Sequence, residues 1–120
     1  MKKILIIFLF LNLITLSSLS KEVWTKIGDN IYVNHKTIKK QLGAKIGWFK
    51  IVQPQNSTYK LEKYKVYCKS GIIEVKHTKI YNDDNTILEE EINDKNIGCD
   101  YQGVVNGEIY YQTLCRKRKF

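Results

Sequence analysis

The chain has 120 residues, 20 Lys and Arg against 12 Asp and Glu, and a formal net charge of +8. That length holds one domain around one modest core, which excludes a multidomain architecture. The charge disfavours cationic partners and favours polyanions such as lipid head groups, cell-wall polymers, sulfated glycans and acidic protein surfaces, though it also serves plain solubility.

Residues 1–20 read MKKILIIFLFLNLITLSSLS. Lys2 and Lys3 form a basic head, Ile4 to Leu13 is apolar except for Asn12, and Ser18-Leu19-Ser20 puts small residues before Lys21. This is the layout of a cleavable secretory signal. The apolar run is too short for a comfortable membrane span, which needs about 20 residues. Cleavage before Lys21 leaves a mature chain of 21–120, with 18 basic and 12 acidic side chains and a charge of +6. The expected location is the periplasm or the outer cell surface, with no transmembrane span after cleavage. Lys, Ile and Asn abound, the imprint of an A/T-rich genome, so a single lysine carries little functional weight.

The mature chain alternates in most of its segments, the mark of β-strands. VWTKIGDNIYVN reads as two short strands around a Gly28-Asp29-Asn30 turn, with Gly and Asn supplying positive φ. HKTIKKQLG is polar and reads as a loop or a single helical turn ending at Gly43. AKIGWFKIVQ reads as a central strand covered on both sides, with Ile46, Trp48 and Val52 on one face and Phe49 and Ile51 on the other. Pro54 ends it, and PQNST connects.

KVYCKSGIIEV then forms a hairpin. With Ser70-Gly71 as a two-residue turn, Cys68 faces Ile73, Val66 faces Val75, and Tyr64 faces His77 on an apolar side. Tyr67–Glu74, Lys65–Lys76 and Lys63–Thr78 face each other on the wet side. A turn at Asn82-Asp83-Asp84-Asn85 leads to a strand around Thr86–Ile92. The last segment, NGEIYYQTLC, changes period. It reads as a short helix capped by Asn106, with Glu108 in its first turn and Tyr110, Tyr111 and Leu114 on one face. A final strand is the alternative. The basic tail, 116–120, follows.

Three cysteines lie in the mature chain, Cys68, Cys99 and Cys115. In an exported chain two of them are expected to pair. A Cys68–Cys115 bridge would staple the last element to the sheet, and a bridge to Cys99 is the alternative. Cys68 points inward, so catalysis by it is not expected. His35 and His77 have no carboxylate at a ligand spacing, so no metal and no cofactor are expected. Glu89, Glu90 and Glu91 look like solvated edge charges. No nucleophile–base motif occurs, and the chain reads as a non-enzyme. Arg116, Lys117, Arg118 and Lys119 form the densest charge run, either a ligand-binding feature or a solvated tail.

The order VWTKIG, IYVNHKTI, GWFKIV, YKVYC, IIEV, KIY and GEIYYQTLC resembles the surface-adhesin protein E family of Gram-negative bacteria. The resemblance spans nearly all of 22–115. It implies an α+β, mainly β fold: a single antiparallel sheet of about six strands, with a short C-terminal helix tied to its concave face by a Cys68–Cys115 disulfide. It also implies a surface adhesin that binds host extracellular-matrix proteins or glycans. The chain departs from the family pattern at Asn34, at the entry to the final helix, at Cys99 and in its basic tail. The alternative is a periplasmic lysozyme-inhibitor-like or housekeeping domain. Lysozyme is basic, and a basic chain suits it poorly. No nucleic-acid partner is expected.

Overall fold

The computed structural model describes residues 24–116. The signal segment 1–20 and the tail residues Lys117, Arg118 and Lys119 lie outside them. The chain folds as one antiparallel sheet in which sequence neighbours are spatial neighbours, β1 to β6 in order. The strands are β1 (Trp24–Gly28), β2 (Ile31–Gln41), β3 (Ala44–Gln53), β4 (Thr58–Tyr67), β5 (Ile72–Asn82) and β6 (Ile87–Ile92). A two-residue β7 (Cys99–Asp100) pairs with the start of β5. The single described α-helix, α1 (Gly107–Cys115), follows.

The segment HKTIKKQLG is neither loop nor helical turn. It completes β2, where Lys39, Lys40 and Gln41 pair with Ile46, Lys45 and Ala44. The strand breaks register between Asn34 and Lys39, and Thr37 fills the gap. Its hydroxyl donates to the Asn34 carbonyl at 2.7 Å and accepts the Trp48 amide at 3.0 Å. The hairpin closes at Leu42 and Gly43, both at positive φ (41° and 80°), the two-residue geometry that matches strand twist.

At the β1–β2 turn Asn30 carries the positive φ (61°), whereas Gly28 does not. Gly28 serves a close approach instead. A Cβ there would stand 3.0 Å from Ile109 of the helix.

The β4–β5 hairpin closes through a longer turn than expected, with its register shifted by two residues. Val66 pairs with Ile73, and Tyr64 with Val75, around a turn spanning 68–71. The difference is two residues, so every side chain up to Val75 keeps its expected face. Cys68 stands in the turn rather than in the strand. A bulge at Lys76 then flips the rest of β5, and His77 faces Lys63 rather than Tyr64. Lys65 faces Glu74, which removes the expected like-charge pair.

One face of the sheet carries the core. Ile31, Val33, Phe49, Tyr64, Val66 and Ile73 pack with Tyr110 and Leu114 of α1. Tyr110 stacks on Tyr64 (centroids 4.2 Å apart) and meets Phe49 edge-on at 4.8 Å. Full burial of a side chain such as Phe49 contributes about 1.5–3 kcal/mol. Asn106 adopts a left-handed conformation without a side-chain cap, and its carbonyl accepts the Ile109 amide at 3.0 Å. Cys68 and Cys115 form a disulfide that ties the end of α1 to the β4–β5 turn. Tyr111 adds a hydrogen bond to the Cys68 carbonyl at 3.0 Å. Cys99 is free and exposed. Because α1 covers one face only, the expectation that β3 is covered on both sides fails: its Trp48 face lies across the sheet from the helix.

Candidate ligand-binding face

Strand register arranges the open face. Trp24 pairs with Asn34, Asn34 with Trp48, Trp48 with Lys63, Lys63 with His77, and His77 with Ile92. Because side chains opposite each other across a ladder share a face, these form one row across all six strands. A second row beside it runs Lys26, Tyr32, Lys50, Leu61, Lys79 and Glu90. On the other side Lys39 pairs with Ile46 and Ile46 with Lys65. An indole–amide–indole row is thus flanked by lysines on both sides.

The row is relieved by three adjoining depressions. One of about 270 Å³ is lined by Trp24, Asn34, Thr37, Trp48, Leu61 and Lys79. A second of about 250 Å³ lies among Lys36, Thr37, Lys39, Ile46, Trp48 and Lys63. A third of about 310 Å³ includes Ile46, Lys63, Lys65 and His77. The described residues lining them include no Asp or Glu. Trp48 is held in place, with the Lys79 ammonium 5.7 Å from its centroid and His77 at 5.1 Å. The Glu90 carboxylate stands 2.7 Å from His77 and 4.0 Å from the Lys79 ammonium, a long, half-exposed pair that a ligand anion on Lys79 would have to compete with. Lys76 is neutralised where it stands: its ammonium forms a 2.9 Å ion pair with Glu74 and donates to the Lys95 carbonyl and the Asn96 side chain.

The helix face offers a polar cluster of another kind. The Tyr64 hydroxyl donates to Glu62 at 3.1 Å, Thr78 donates to the same carboxylate at 3.3 Å, and Lys60 stands 3.7 Å away. Burial, reinforced by the Glu62 charge, pushes the Tyr64 phenol well above its usual range. Burial pushes Tyr110 up to about 12. Both phenols stay neutral and packed, so this cluster seats the helix.

The residues singled out in the sequence are dispersed. Cys68 and Cys115 meet as the disulfide. Arg116 is exposed directly after the helix. Lys117, Arg118 and Lys119 lie outside the described residues. His35 lies in β2, its Nδ1 3.3 Å from the Thr25 hydroxyl. Glu89 and Glu91 are exposed on the edge strand. Among the described residues no three of His, Cys, Asp and Glu gather as metal ligands would. No described helix is long and apolar enough to cross a membrane. Sequence reasoning missed the row centred on Trp48. Its signal was the lysine-and-aromatic alternation of β3 and β4, but β3 was read as covered on both sides and only the β4–β5 hairpin as having a wet face.

Compared with known proteins, the chain matches no family model, no curated protein and no solved structure.

Proposed function

We propose that the protein is an exported binding protein that catalyses nothing and holds a negatively charged partner on the open face of its sheet. The observation that carries this reading is the Trp24–Asn34–Trp48–Lys63 row with lysines on both flanks and no described acid lining its depressions. Exposed lysines attract polyanions over about one Debye length, roughly 8–10 Å at ordinary salt, and aromatic groups add short-range contact. The disulfide suits an oxidising compartment. Together with the amino-terminal signal pattern it supports the periplasm or the outer cell surface. The resemblance to the surface-adhesin protein E family supports the finer reading, an adhesin for host matrix proteins or glycans. The basic tail from Arg116 to Lys119 adds long-range attraction.

The test compares the mature chain with a version ending at Cys115 on acidic and neutral matrices at low and physiological salt. The reading expects salt-sensitive retention on the acidic matrix, reduced but not abolished without the tail. Absence of retention for both versions would refute it. N-terminal sequencing of the protein from the envelope fraction checks export. Lys21 is the expected first residue, and a retained Met1 contradicts it.

A further inference from the structure

The binding reading above leaves open the chemistry of the anion, and the open face narrows it. Trp24 and Trp48 occupy alternate strands of one row, with Asn34 between them. Strands lie about 4.8 Å apart, so the two Cα positions stand roughly 10 Å apart with an amide at the midpoint. The depression they line measures about 270 Å³, open to solvent and sized for a single ring. Its polar groups are an amide, a hydroxyl and the Lys79 ammonium. Indole walls accept the apolar C–H faces of a pyranose, the amide suits ring hydroxyls, and an ammonium suits a sulfate or carboxylate.

The next positions continue the pattern. Beyond Trp48 in the same row stands Lys63, and Lys79 and Lys65 belong to the rows on either side. From Trp24 to Lys63 is three strand spacings, about 15 Å. A flat polymer lying across the strands would place rings along the row and meet ammonium groups on both edges. A folded acidic protein would need a complementary shape rather than a ring-sized cup.

We propose that this face binds an acidic polysaccharide running across the strands, with one sugar ring between Trp24 and Trp48 and its anionic groups on Lys63, Lys65 and Lys79. This rests on the open-face reading of the preceding subsection.

The test is calorimetric titration of the mature chain with a heparin oligosaccharide, poly-glutamate, a single-stranded oligonucleotide and a neutral dextran. Trp48→Ala, Trp24→Ala and Lys63→Glu are compared, each first checked for an unchanged folding transition. Trp24 lies on the edge strand, so its variant keeps the test valid if Trp48→Ala unfolds. The expected result is heparin binding weakened at least tenfold by either Trp variant, while poly-glutamate binding changes less than twofold. Lys63→Glu should weaken both. Heparin binding indifferent to both Trp variants would overturn the glycan assignment while sparing the anion-binding reading. Equal Trp dependence for the oligonucleotide would also overturn it, in favour of a generic stacking surface. Failure to bind any of the three polyanions would overturn both readings.

Discussion

The backbone carbonyl of Tyr101 occupies the place where a side chain on Gly107 would have to go. Gly107 is the first residue of α1 and is buried. In an exposed helix, alanine would be favoured over glycine by about 1 kcal/mol. Here the added methyl meets main chain, which cannot rotate away. Gly107→Ala should therefore lower stability, by about 1–3 kcal/mol, the usual cost of overpacking. Gly103→Ala, with open space around the new Cβ, serves as the control. Denaturant midpoints for the two variants check this. A Gly107→Ala protein as stable as its parent would mean that the helix start is placed wrongly.

The Cys68–Cys115 bridge closes a separation of 47 residues between the β4–β5 turn and the helix end. In the chain-entropy model such a loop contributes about 4 kcal/mol. That is a large share of the roughly 5–15 kcal/mol available to a small domain. Cys68→Ser with Cys115→Ser should lower the melting temperature well beyond what Cys99→Ser does. Non-reducing peptide mapping should join 68 to 115 and leave Cys99 free. A bridge to Cys99 would contradict the helix docking.

Two buried phenols set an alkaline limit. Burial holds Tyr110 up at about 12 and Tyr64 higher still, against an ordinary value near 10. A raised folded-state value means the stabilisation is fully present below pH ~10 and is lost as pH rises through ~12. Tyr64→Phe removes one such group together with its bond to Glu62. It should be less stable than the parent at neutral pH, and the gap should narrow as pH climbs past ~10. Urea midpoints across that range read the effect. Parallel curves for the two proteins would show that Tyr64 ionises freely in the fold.

Most strands and the amphipathic last helix were legible in the sequence, because alternation over β3, β4 and β5 and the Tyr110–Leu114 spacing report burial directly. The second half of β2 was not. HKTIKKQ is polar nearly throughout, and it is a strand because Ala44–Ile46 pairs with it. Its turn places a leucine, Leu42, at positive φ, which gives no Asn-Gly signal. The bulge at Lys76 also escapes alternation, so His77 was assigned to the wrong face. Most of all, the row through Trp24, Asn34, Trp48 and Lys63 depends on three strand registers at once. Each register is fixed by a different turn or bulge, and a one-residue error in any of them scatters the row across both faces. The sequence instead drew attention to Arg116–Lys119, where charge is dense along the chain.

The central claim is that the partner sits on the open face. Backbone and indole N–H shifts, followed in two-dimensional NMR while a heparin oligosaccharide is titrated into the mature chain, test it most directly. The account predicts shifts concentrated at Asn34, Trp48, Lys63, Lys79 and the indoles of Trp24 and Trp48, with Tyr110 and Leu114 of the helix little changed. Shifts confined to residues after Cys115, with the Trp48 row silent, would contradict it.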